Sequence, residues 1–217
     1  MSKETESIFN SLSETYNGPQ KLKTIFHSFK SCSIDKNNFR SLVDSEIKCI
    51  NFDKLTKWIH GSCLPQSADS MTFSGKYVYF IEFKTGDQVE HERKREKLIN
   101  GVIGKINDSD DTLFSDICSK IEGLNTVSVR LRFYLVVDAK EMGISSLVST
   151  LAALSTGPST LSDPKIAQLI QTVLPNLKEG TNHPEHFDQI DIWYSDLFER
   201  YLIAHKIRDI DSLFGNE

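Results

Sequence analysis

Cysteine is scarce in this chain and scattered. Cys32, Cys49, Cys63 and Cys118 form no Cys-x-x-Cys pair and no compact Cys/His knuckle, which removes the spacing a structural zinc site needs. No run approaches the roughly 18 apolar residues of a membrane span. The opening residues, Met1-Ser2-Lys3-Glu4-Thr5-Glu6, hold no apolar signal region. Internal repeats and low-complexity tracts are lacking too. So is an excess of basic charge: 25 Lys and Arg face 30 Asp and Glu, a formal net charge of −5. That balance argues against a protein that coats nucleic acid nonspecifically, while leaving room for a local basic surface beside an acidic site. The expectation is a cytoplasmic protein with reduced thiols and no membrane contact.

What is present is an ordinary globular composition. The 217 residues are 39% hydrophobic and 25% charged, enough to bury a full core. The pattern divides the chain into a helical N-terminal extension (1–35), an α/β core (36–140) and a helical C-terminal region packed on the core (141–217). In the extension, Ile8, Phe9, Leu12 and Tyr16 form one apolar face, Gly18-Pro19 breaks it, and Leu22, Ile25, Phe26 and Phe29 form another. Asp35 has the chemistry of a helix cap for a following helix with Phe39, Leu42, Val43 and Ile47 on its face. Lys48–Phe52 reads as a short strand, and His60 as a surface or loop histidine.

The stretch from Asp69 to Lys84 organises the rest. Two β-prone runs flank Ser74-Gly75, which is a hairpin signal. The second run, Tyr77-Val78-Tyr79-Phe80-Ile81-Glu82-Phe83-Lys84, is aromatic and β-branched enough to be an interior strand. Yet Glu82 and Lys84 lie at its end, two positions apart and so on one face. Charge at the end of a buried strand costs desolvation energy, which points to a task for it. Asp69 stands on the partner run, where a suitable register brings its carboxylate to that of Glu82. Two carboxylates suit a hard, oxygen-loving cation such as Mg²⁺ or Mn²⁺, and an adjacent ammonium suits an anionic transition state.

After Thr85-Gly86-Asp87 a helix is expected from about Gln88 to Ile106. Its stripe of Leu98, Ile99, Val102, Ile103 and Ile106 extrapolates back through Gln88 and Arg95. Arg95 is then a candidate phosphate clamp and Gln88 a candidate polar group of the site. Arg93, Lys94 and Lys97 fall off the stripe as a basic face placed to meet backbone phosphates. Asn107-Asp108-Ser109-Asp110-Asp111 reads as an acidic, turn-rich loop, and residues 126–138 as the next strand.

With Asp69, the hairpin, Glu82-Phe83-Lys84 and the following helix, the chain resembles the PD-(D/E)XK nuclease superfamily over roughly residues 36–140. Ala68 stands where the family's name implies proline. The resemblance implies a restriction-endonuclease-like fold, a mixed β-sheet flanked by helices. It further implies that Asp69 and Glu82 bind Mg²⁺ or Mn²⁺, that Lys84 assists the nucleophilic water, and that the substrate is DNA or RNA. The helix expected after Asp35 matches the family's first core helix, which often adds an acid. Glu46 is the candidate there, with Asp44 second. The alternatives are a catalytically inactive nuclease-fold protein that binds nucleic acid or protein, and a simple Glu82–Lys84 ion pair on a sheet edge.

Beyond residue 138 the chain reads as helical, first with Ile144, Leu147, Val148 and Leu151 at helical spacing. Asp163-Pro164 opens one helix carrying Ile166, Leu169, Ile170 and Val173. His183 and His186 lie in a loop. A last helix, from about Phe187 to His205, carries Ile190, Trp193, Leu197, Phe198 and Tyr201. If exposed, that stripe is a surface for a second copy or another protein partner.

Overall fold

Ser2 starts the first helix. Its hydroxyl accepts the Thr5 amide at 3.3 Å, satisfying one of the amides that a helix start leaves unpaired. Helix α1 (Lys3–Thr15) then buries Ile8, Phe9 and Leu12. In this computed structural model residues 1–35, 37, 39–61, 65–85, 92–138, 164–203, 207 and 209–213 are described. A short helical turn α2 (Pro19–Leu22) leads to strand β1 (Phe26–Ser28) and helical turn α3 (Phe29–Cys32).

The helix expected after Asp35 is not formed. Strands β2 (Ile34–Asp35) and β3 (Arg40–Ser41) pair as a small separate hairpin, and residues 43–47 run without regular structure. The reason lies in Asp35 itself. Its Oδ1 accepts the Asn37 amide at 3.0 Å, an Asx turn that competes with helix capping for the same side chain. Phe39 completes the reversal with φ +55°.

Strand β4 (Lys48–Asn51) is followed at once by helix α4 (Phe52–His60), capped by Asn51 Oδ1 on the Lys54 amide at 2.9 Å. The expected hairpin then appears as β5 (Ser70–Ser74) and β6 (Tyr77–Lys84), antiparallel with Ser74 opposite Tyr77. Gly75, at φ +59°, turns it. The Gly75 carbonyl also accepts the Ser2 amide and the Thr5 hydroxyl, each at 2.9 Å, so the start of α1 is pinned to the hairpin tip.

Helix α5 (Glu92–Asp111) runs to the end of the stretch expected to be a loop, then widens into a π-helical segment, Thr112–Ile117. Strand β7 (Arg130–Val137) follows, then α6 (Pro164–Glu179) and β8 (Phe187–Tyr194). The sheet order is β1-β4-β5-β6-β7-β8. Pairing is antiparallel from β1 to β6 and parallel through β6, β7 and β8, so this is an α/β architecture with a mixed six-stranded sheet flanked by helices. The aromatic run of β6 lies between β5 and β7, and Val78 through Phe83 are all buried.

The last expected helix is a strand. Phe187-Asp188-Gln189-Ile190-Asp191-Ile192-Trp193-Tyr194 alternates as a strand does, and parallel pairing to β7 buries it from Ile190 onward. Only after Tyr194 does the chain turn helical, in α7 (Ser195–Leu197) and a π-helical segment, Phe198–Ile203. Ile190, Trp193, Leu197 and Phe198 are therefore core residues, not a partner surface. The sheet draws β1 from residues 1–35 and β8 from residues 141–217, so neither flank is purely helical. The expected face at 144–151 lies outside the described residues. Among the described residues, no helix is long and apolar enough to cross a membrane.

Candidate active site

Asp69 closes the loop into β5 and is held from two sides. Its carbonyl accepts the Phe52 amide at 3.3 Å. Its Oδ2 accepts the Phe83 amide at 2.8 Å, which aims the carboxylate across the hairpin at the end of β6. Glu82 is wholly buried there. Lys84 Nζ is in ion contact with Glu82 Oε1, as their shared face requires. That contact lacks hydrogen-bond alignment, and Oε1 accepts no other bond among the described residues.

A second lysine completes the cluster. Lys105, on α5, places Nζ 2.7 Å from Glu82 Oε2 and 3.4 Å from Asp69 Oδ1. Two carboxylates thus converge on one ammonium. Burial pushes the Asp69 carboxyl up to about 7, with the neighbouring Glu82 adding to the rise and Lys105 and Lys84 opposing it. Its side chain keeps 21% of its surface open to the cavity while dense protein surrounds the rest. For Lys105, burial favours the neutral amine, but the Glu82 and Asp69 carboxylates outweigh it and hold the ammonium above its ordinary range.

Two cavities flank these lysines. One, of about 690 Å³, is walled by Asp69, Lys84 and Lys105 together with Asp53, Asp35, Cys32 and the β2–β3 turn. The other, of about 400 Å³, is walled by Lys84, Lys94, Lys97, Leu98, Gly101 and Lys105. No family model, no curated protein and no solved structure matches this chain. The geometry of the site itself therefore carries the reading.

The structure brings Asp69, Glu82 and Lys84 together. Glu46 is elsewhere: without the expected helix its side chain is exposed on an irregular segment, 3.6 Å from Lys30, which also pairs with Asp44 at 2.6 Å. Arg95 is half-buried on α5, but the described lining of the two cavities includes Lys94 and Lys97 rather than Arg95. Gln88 falls outside the described residues. His60 faces Asp116, at 3.2 Å, beside a separate cavity that shares no residue with the Asp69 cluster.

Lys105 and Asp53 were not singled out by the sequence. The signal for Lys105 was present: at 100° per residue it lies on the edge of the stripe, close beside Leu98. A lysine on the flank of a buried stripe is a candidate for a buried partner. Asp53 occupies the first turn of α4, and no pattern connects it to residues sixteen and more positions away.

Proposed function

We propose that this protein is a metal-dependent nuclease with a restriction-endonuclease-like core, hydrolysing phosphodiester bonds in DNA or RNA as the PD-(D/E)XK enzymes do. One observation carries the reading. Two carboxylates, of Asp69 and Glu82, converge on a single cationic point at the end of β6, with Lys84 against Glu82 and an open cavity in front.

Asp69 and Glu82 would hold Mg²⁺ or Mn²⁺. The donors fit: they are hard carboxylate oxygens, and the Lys105 ammonium acts as a stand-in cation between them. Such an ion, when bound, lowers the pKa of a coordinated water and neutralises charge on the phosphate. The remaining work belongs to the chain. Lys84, held by Glu82 at the cavity wall, orients the attacking water and stabilises the negative charge that develops on the phosphate. Lys105 has a flexible four-carbon stem. It yields its place between the carboxylates and joins Lys94 and Lys97 in meeting the flanking phosphates.

The test is cleavage of labelled single- and double-stranded DNA and RNA with Mg²⁺, Mn²⁺ or EDTA, beside the Glu82→Gln variant. Metal-dependent cleavage that the variant loses supports the enzyme and names its substrate. The second reading is a catalytically inactive module that binds nucleic acid or protein. Its support is that two ammonium groups already balance two carboxylates. It expects no divalent-ion binding and no cleavage, with retention of nucleic acid on the lysine-lined cavity.

A further inference from the structure

The end of α5 carries a second constellation that shares no residue with the Asp69 cluster. Asp110 and Asp111 end the helix, and His183 lies in the segment leading to β8. Each of the three offers one ligand atom, and these atoms all lie within 4.8 Å of one another. Asp110 is 2% exposed. Both of its oxygens stand 3.0 Å from His186 Nδ1, which fixes the direction of the carboxylate. The His183 and His186 rings stack with centroids 5.1 Å apart, and Phe114 covers His186 at 4.2 Å. The two chain segments are joined independently of this cluster: Asn107 Nδ2 donates to the Gly180 carbonyl at 3.0 Å, and the Asn182 amide donates to Asn107 Oδ1 at 2.9 Å. The histidines are therefore presented to the helix end by a fixed backbone, which is the preorganisation a metal site requires.

We propose that Asp110, Asp111 and His183 form a binding site for a transition-metal dication, zinc in the first place, with His186 positioning the Asp110 carboxylate. Mixed imidazole and carboxylate donors select an ion of intermediate softness, whereas carboxylates alone suit Mg²⁺. The ion would tie the end of α5 to the approach of β8 and stabilise the fold by mass action.

The experiment is zinc titration of the full chain by calorimetry, repeated by cobalt(II) absorption, on the wild type, Asp111→Asn, His183→Ala and Glu82→Gln. Asp111 and His183 are exposed, so the two variants keep the fold, which circular dichroism checks. Zinc binding retained in Glu82→Gln and weakened at least tenfold in both Asp111→Asn and His183→Ala is the expected result. A cobalt spectrum of four-coordinate intensity that His183→Ala abolishes supports nitrogen ligation. Absence of zinc binding, or zinc affinity unchanged by His183→Ala, overturns the proposal and leaves Asp110–His186 as an ion pair that staples the fold. Because Glu82→Gln removes the other cluster, failure here is separable from failure of the nuclease reading.

Discussion

Lys105 Nζ lies 2.7 Å from Glu82 Oε2, joining the middle of a helix to a wholly buried strand-end carboxylate. The pair has two roles that pull apart. Without a metal, Lys105 neutralises Glu82. On the proposed nuclease reading it also occupies the point that a Mg²⁺ or Mn²⁺ ion would take.

Replacing Lys105 by methionine separates these roles. In EDTA the variant leaves Glu82 one ammonium short, and stability falls by about 1–3 kcal/mol. Millimolar Mg²⁺ restores most of the loss, and divalent-ion affinity rises above that of the wild type. Urea unfolding with EDTA or Mg²⁺ measures both effects. A loss that Mg²⁺ does not repair contradicts the assignment of the Asp69–Glu82 pair to a metal.

The proposed nuclease reading expects Glu82→Gln and Lys84→Ala each to reduce phosphodiester cleavage by about a hundredfold or more, the usual range for removing a proton-transfer or charge-stabilising group. Glu82→Gln keeps a cooperative melt, because the amide retains the shape and Asp69 still faces the Lys105 ammonium. Cleavage rates on the substrate found in the first screen decide it. Undiminished cleavage by both variants rules out the mechanism.

Asp69 makes stability depend on pH in a defined sense. Its folded carboxyl is pushed up to about 7 from an ordinary 3.8. The folded state therefore holds the proton more tightly than the unfolded state. The stability this group contributes is complete below about pH 4 and declines as pH rises to about 7. Asp69→Asn keeps a neutral side chain throughout. In EDTA it matches the wild type near pH 4 and exceeds it at pH 8. Urea midpoints across that interval check the sign, and an advantage of the wild type at pH 8 would reverse it.

Trp193→Glu destroys the cooperative fold rather than an oligomer. Trp193 is buried in β8 and meets the Tyr134 ring at 5.7 Å. Loss of a buried Trp side chain costs about 3–5 kcal/mol before the buried charge is counted. Loss of near-ultraviolet circular dichroism and of a sigmoidal melt is expected. A folded variant would return this stripe to the surface.

The hairpin and its charges were legible because several local signals agree there. Ser74-Gly75 sets the turn, the aromatic run sets the strand, and Glu82 and Lys84 stand out by breaking it. Elsewhere one residue served two patterns. Asp35 caps helices and closes Asx turns with the same oxygen, and the turn prevailed. Ile190, Trp193 and Leu197 keep helical spacing, while Ile190, Ile192 and Tyr194 keep strand spacing. Parallel pairing to β7, which no local window contains, decides between them. The Asp110–His183 cluster is hidden for the same reason: its acids and its histidines belong to segments joined only by the fold, and the run of Asn, Asp and Ser around the acids has the composition of a loop.

Asp69, Glu82, Lys84 and Lys105 all come from one contiguous stretch, but the shell that dries them does not. β7 closes over β6 from almost fifty residues further on, and β8 follows later still. Contact order therefore leads us to expect that the four charges meet while still wet, and that non-local parallel pairing, the slow part of such folds, removes the water afterwards. Refolding should pass through a stage in which the charges are assembled but exchange freely with solvent. On this order Glu82 becomes a sealed group once β7 pairs along β6 and Leu135 comes to lie beside it.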